Sequence, residues 1–311
     1  MDRINEIAPL LAHHFYTARD SRSLQYDIIA GESAARLYAN AEAATHFSHA
    51  LETARRIKAS HEQIEDLHTK FGQALELSGR YDEALENYNA MEEYALDRGV
   101  PSMQLAALLE KSTLYSTYTS LHDSELGEQI IHKALKLSEE IGDRATQVKL
   151  HWNLMLTYLF SNRLDQALEH GEHALPLARE SGDRDQLAFI LNDLGRVYAC
   201  QGKFEQVYEA SGEARQIWST LENETMLADS FGSEGSAHFQ AGDHTTALEL
   251  LHLGLRLSEK NENLWGQAYI HMLMSFCHFD QGHIRHAIQL SEQSVAAVSY
   301  THLTLPTTPY V

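Results

Sequence analysis

A short motif returns every 40 residues along the second half of this chain. Gly202-Lys203-Phe204, Gly242-Asp243-His244 and Gly282-His283-Ile284 stand at identical spacing (202, 242, 282). Asn162-Arg163-Leu164 sits one period earlier, and Gly79-Arg80-Tyr81 two periods and a few residues before that. About five residues after each comes a small or compact position: Ala84, Ala167, Val207, Ala247 and Ala287. A fixed period of this length means stacked supersecondary units in place of one closed core. The functional question then moves from an active site to a binding surface.

Composition agrees with a helical array. Of 311 residues 43% are apolar and only five are Pro, which excludes a disordered tail. Ala, Leu and Glu dominate and strand formers are nowhere concentrated, so the architecture reads as all-α. The formal charge is −20, from 24 Lys and Arg against 44 Asp and Glu. Such a surface repels phosphate backbones and anionic lipid, so neither nucleic acid nor a membrane surface is expected as a partner. Two cysteines, Cys200 and Cys277, give no disulfide framework and fit a reducing cytoplasm. Met1 to Leu11 is not patterned as a signal peptide, and no run of about 18 apolar residues exists.

The unit around Gly202 is the clearest. A first helix is expected over 189–201, with Leu191, Leu194, Val197 and Tyr198 on one face. Gly195 would let a neighbouring helix approach, and Gly202 would end the helix in a left-handed turn. Phe204 would pack into the hairpin, and a second helix over 205–220 would turn Val207, Ala210 and Ala214 inward. Other units repeat the logic: Gly72, Leu75, Gly79, Tyr81, Ala84, Tyr88 and Met91; Gly235, His238, Gly242, Ala247 and Gly254; Ser275, His278, Gly282, Ala287 and Ser294. Asn162 replaces Gly in one unit, and Asn is the other residue that tolerates this backbone region. Ser181-Gly182-Asp183-Arg184 and Ile141-Gly142-Asp143-Arg144 each end one helix with Gly and offer Asp as the next N-cap. Pro176, inside a second helix, should kink it or mark its final turns.

Leu194, Gly195, Tyr198, Gly202, Phe204 and Ala214 stand where the tetratricopeptide repeat carries Leu, Gly, Tyr, a turn Gly, an aromatic and Ala. The chain resembles that family over about seven units. The resemblance implies a right-handed α-solenoid of antiparallel helix pairs, with first helices lining a concave groove that holds peptides or partner proteins. The third unit departs from the pattern, with about three extra residues between Tyr115 and Ile131 and no turn Gly. The first has Gly31, Phe47 and Ala50, but Tyr38 in place of the turn Gly. The run 7–15 followed by Ala30-Gly31-Glu32-Ser33-Ala34 also resembles the start of the helical-repeat region of large bacterial signalling ATPases, which carry nucleotide-cyclase or DNA-binding output domains. Val298 to Thr308 resembles a translated sequencing-library adaptor. The expected organisation is a helical lead-in over 1–27, the solenoid over 28–297 and a non-native tail over 298–311.

Candidate chemistry is sparse. No phosphate loop of the form G-x-x-x-x-G-K-[ST] occurs. His46 and His49, and His170 and His173, lie three apart, and His283 and His286 lie near His278. Helical spacing of three can present two imidazoles to one metal, but a site needs a third or fourth ligand. Lacking one in the pattern, these read as packed or solvated histidines, and no metal or other cofactor is expected. Cys200 reads as a half-buried helix residue without the signature of a nucleophile. Adjacent pairs such as Glu92-Glu93 and Glu139-Glu140 diverge around a helix. No catalytic residue is assigned.

The repeat's inward positions give the groove: Lys149, Trp152, Asn153, Asn192, Asp193, Arg196, Ser233, Ser236, Gln240, Tyr269 and Phe276. Amide, cationic and aromatic groups together could hold peptide backbone and an anchor side chain. The expected job is that of a non-catalytic scaffold or sensor module, part of a larger cytoplasmic regulatory protein. The alternatives are the regulatory arm of a signalling ATPase, nucleotide cyclase or transcriptional regulator, and a peptide-pheromone sensor.

Overall fold

The computed structural model describes residues 3–37, 39–117 and 119–304. Fifteen α-helices and no strand occur among them. Contacts divide the chain into two compact units, one up to Asp143 and one from Arg144.

The second unit shows the period most plainly. Its first helices are α8 (Arg144–Phe160), α10 (Arg184–Cys200), α12 (Glu224–Gln240) and α14 (Leu264–Asp280). Its second helices are α9 (Leu164–Ser181), α11 (Phe204–Thr220), α13 (His244–Lys260) and α15 (Ile284–Thr304). Every start recurs at the interval seen in the sequence. The helix before the Gly202 turn begins at Arg184, five residues ahead of the expected 189.

The turns explain the motif. Gly202, Gly242 and Gly282 adopt φ of 70°, 84° and 79°, and Asn162 adopts 57° in the same place. At each, the same two bonds close the helix: Gly202 N donates to Ala199 O and Lys203 N donates to Tyr198 O. This satisfies carbonyls that a helix end otherwise leaves open. Between units the left-handed positions are Gly142, Gly182, Glu222 and Glu262, again 40 apart (142, 182, 222, 262). Only the two glycines were readable from sequence; Glu222 and Glu262 hold φ of 56° and 55° without glycine's freedom. Asp183 caps α10 by accepting from Gln186 N, and Asn223 and Asn263 cap α12 and α14 in the same way.

The core follows the small-residue rule. Ala167, Val207, Ala247 and Ala287 are buried, as are Leu191, Leu194, Val197, Ala210 and Ala214. Gly195 is not the point of closest approach: a Cβ there would meet only Ser211 Oγ at 3.7 Å. Pro176 lies inside α9, five residues from its end, in keeping with the expected final turns. α15 runs on to Thr304, past Ala297, where the sequence predicted a break; the last part of the adaptor-like string lies outside the described residues.

The first unit holds α1 (Arg3–Thr17), α2 (Ser23–Arg36), α3 (Asn40–Ile57), α4 (His61–Leu77), α5 (Tyr81–Arg98), α6 (Pro101–Ser116) and α7 (Ser124–Ile141). One cluster runs from Leu24 on α2 to Leu114 on α6 through Phe47, Leu67, Leu75, Tyr88 and Met91. α2 starts at Ser23, so the first hairpin begins ahead of the expected residue 28. Tyr38, expected at its turn, lies outside the described residues. The irregular third unit is real: residues 117–123 connect α6 to α7, and Asp123 caps α7 through Glu125 N and Leu126 N.

Candidate functional site

Every candidate groove residue lies in the second unit, on α8, α10, α12 or α14. Successive first helices touch one another, α8 with α10, α10 with α12 and α12 with α14. The backbones of α9, α11, α13 and α15 approach one another less closely, although Arg179 on α9 pairs with Glu213 on α11 at 2.6 Å. Packing tighter on the first-helix side makes that side the inner face of this unit.

Its polar groups are tied laterally, helix to helix. The Trp152 indole on α8 donates to Asp193 Oδ2 on α10 at 2.9 Å. Asn192 Nδ2 on α10 donates to Asp229 Oδ2 on α12 at 2.7 Å, and the Ser230 hydroxyl returns a bond to Asn192 Oδ1 at 3.0 Å. Arg196 stands between the two carboxylates, with Nη1 3.6 Å from Asp193 Oδ1 and Nη2 3.2 Å from Asp229 Oδ2. Burial pushes the Asp193 carboxyl up to about 6, against Arg196 and the Trp152 bond, which favour the ionised form. Desolvation also raises the Tyr269 hydroxyl on α14, with Arg196 opposing. One guanidinium therefore influences groups on three helices.

The sequence-derived positions separate into two kinds. Asn153, Asn192, Asp193 and Ser233 are buried, so they hold the wall together and do not face a ligand. Helical spacing put them inward, but inward positions next to the adjoining first helix are covered by it. Trp152, Arg196, Ser236 and Tyr269 are partly exposed, while Lys149, Gln240 and Phe276 are exposed. Gln240 Nε2 reaches Ser236 Oγ at 3.4 Å. Asp229, which helical spacing also turns inward on α12, completes the network.

Elsewhere, Cys200 is exposed and not half-buried as expected, and Cys277 is buried, with its thiol pushed up to about 11. No helix among the described residues is long and apolar enough to cross a membrane.

Residues 148–220 match the tetratricopeptide repeat family, spanning most of α8 together with α9, α10 and α11. No curated protein sequence matches the chain. Solved structures resemble it in fold at low identity. A Rap protein complexed with Competence and Sporulation Factor is 12% identical, with a TM-score of 0.69, over 89% of this chain and 75% of that one. A Rap conjugation gene regulator of a plasmid, in complex with a Phr peptide, is 13% identical with a TM-score of 0.69, over 91% and 75%. A signal transduction ATPase with numerous domains and a tetratricopeptide repeat sensor, from Pyrococcus horikoshii, is 13% identical with a TM-score of 0.63. That match covers 97% of this chain and 47% of the ATPase, so the chain spans about half the length of that protein. The 40-residue turns, the paired helices and these likenesses agree on an all-α helical-repeat fold, and the tetratricopeptide family match covers residues 148–220 of it.

Proposed function

We propose that the inner face of α8, α10, α12 and α14 binds an extended peptide or a segment of a partner protein, and that the chain acts as a non-catalytic interaction module. The observation that carries this reading is the buried lateral network, which fixes Arg196 beside the partly exposed Trp152 and Tyr269. A preorganised cation in reach of two aromatic side chains suits a backbone carbonyl or carboxylate next to an apolar anchor side chain. The complex of a Rap conjugation gene regulator with a Phr peptide supports the class of ligand, since that protein shares the fold.

A second reading places the same surface in the sensor arm of a larger cytoplasmic signalling ATPase, cyclase or transcriptional regulator. It is supported by the likeness to the Pyrococcus horikoshii ATPase, whose sensor has this repeat fold. Both readings use the inner face as the input, and a peptide-pheromone sensor would be one form of it.

A displayed random-peptide library selected on the full chain tests the surface. The selected peptides should lose binding about tenfold or more to Ser236→Trp, which places an indole on the inner face of α12 at a partly exposed position. Thermal stability should change little. Peptides that bind Ser236→Trp as well as the unchanged chain would place the site elsewhere.

A further inference from the structure

The histidine pair on α3 has a third neighbour that the sequence pattern does not reveal. Asp27 on α2 faces both rings. Its Oδ1 lies 2.9 Å from His46 Nδ1 and 3.8 Å from His49 Nδ1. One donor atom from each of the three residues can be chosen so that all lie within 4.8 Å of one another. In a tetrahedral Zn2+ site with ligand bonds of about 2.0–2.1 Å, donor atoms stand about 3.3 Å apart. The two Asp27–imidazole separations fall on either side of that value, and the whole set lies within 4.8 Å.

Asp27 is the second, independent observation. Its side chain is fully buried, and Oδ2 accepts no hydrogen bond. A buried carboxylate oxygen without a partner is costly. The His46 contact occupies only Oδ1, and His49 aims a nitrogen at the same oxygen from beyond hydrogen-bonding distance. A cation between the three residues would use that nitrogen and offset the buried negative charge.

The surroundings fit ligand roles. The Tyr16 ring stacks on His49, with centroids 3.8 Å apart and planes 16° apart, and its hydroxyl bonds Glu52, which fixes the imidazole. His46 Nε2, the nitrogen turned away from Asp27, lies 4.0 Å from Glu42 Oε1. His49 is one-third exposed, so the open side of the set faces solvent.

We propose that Asp27, His46 and His49 form a three-ligand site for a borderline divalent transition-metal ion of the Zn2+ class, clipping α2 to α3 and leaving a fourth position for water. The tag-free full chain, stripped with chelator, is titrated with Co2+ and separately melted with and without Zn2+. One equivalent of Co2+ should give the visible bands of a four-coordinate ion, and Zn2+ should raise the melting temperature. Asp27→Asn, which keeps the volume, and His49→Gln should each weaken Co2+ binding by about a hundredfold or more, and should abolish the Zn2+-dependent rise. Asp27→Asn is also melted without metal, and its Co2+ titration is read at a temperature where circular dichroism shows it folded, so lost binding cannot be read as lost folding. His173→Ala and His286→Ala, in the chain's other histidine clusters, should retain the signal. Absence of both the bands and the Zn2+ effect in the unchanged chain overturns the proposal. So does undiminished binding by Asp27→Asn and His49→Gln, or loss of the signal in His173→Ala or His286→Ala instead.

Discussion

The two compact units use buried polar groups in different directions. In the first, bonds run within a hairpin or from one hairpin into the next. The buried Glu76 carboxyl on α4 accepts from the Tyr88 hydroxyl on α5 at 2.6 Å. His68 on α4 shares a 2.7 Å bond with Asn87 Oδ1 on α5 and a 2.9 Å bond with Arg55 on α3. Glu92 on α5 receives Lys111 from α6 and Lys133 from α7 at 2.7 and 2.6 Å. In the second unit the main network runs sideways along first helices, through Trp152, Asn192, Asp193, Arg196 and Asp229. Polar groups spent inside hairpins fix register and pairing. Groups strung along the inner face fix a surface, and one of them, Arg196, remains partly open to solvent.

The titration of these groups follows the same division. Burial raises the Glu76 carboxyl to about 8, so it stays protonated near neutrality. Burial lowers His68 to about 4, so that ring is neutral. For Glu92, burial works against the charged form, but the two lysine bonds outweigh it and hold the carboxyl below its usual range. Among these groups the first unit sets neutralised Glu76 and His68 beside the lysine-paired Glu92, whereas the second keeps a cation between two buried carboxylates.

The largest expected effect tests the second unit. Arg196→Met leaves Asp193 and Asp229 buried beside each other without their cation, which should cost on the order of 3 kcal/mol. Chemical denaturation at pH 7 measures it. A loss under about 1 kcal/mol would mean that the lateral network is not a stabilising unit, and the contrast between the two units would collapse.

Next comes Glu76. Its folded pKa is raised from 4.5 to about 8, so its contribution is complete below about pH 4.5 and is lost as pH rises through 8. Glu76→Gln keeps an acceptor for Tyr88 and should flatten that decline, with a gain of about 2 kcal/mol at pH 8. Unfolding free energies at pH 5 and pH 8 decide it; parallel profiles for the two proteins would show that the carboxyl is not held neutral.

The smallest effect bears on what both units share. Gly202→Val should cost about 1–2 kcal/mol from backbone alone. No atom lies within 4 Å of an added Cβ there, so crowding adds nothing. An unchanged melting curve would remove the left-handed turn from the explanation of the period.

These turns were the most legible part of the molecule, because a residue without Cβ marks the left-handed position wherever it recurs. The legibility stopped where another residue took the same conformation. Glu222 and Glu262 occupy the inter-unit turn with side chains that give no hint of it. The inner-face register was legible from helical spacing, which brought Trp152, Asp193 and Arg196 onto one list. Spacing within one helix carries no record of what the next helix covers, so the burial of Asn153, Asn192, Asp193 and Ser233 was not readable. Asp27 was missed for the same reason: it meets His46 across two helices, with nothing in the pattern of either to announce it.

The turn glycines at 202, 242 and 282 are exposed as well as left-handed. Handedness, and not lack of room, is what reserves them. A mirror-image amino acid, D-alanine introduced by chemical ligation, has its preferred backbone basin where L-alanine is strained. At each of these positions it would also restrict the unfolded chain, a gain of about 0.4–1 kcal/mol by analogy with replacing glycine at compatible sites. The 40-residue period is thus also a ruler of sites where the opposite chirality would suit the fold better than any encoded residue, glycine included.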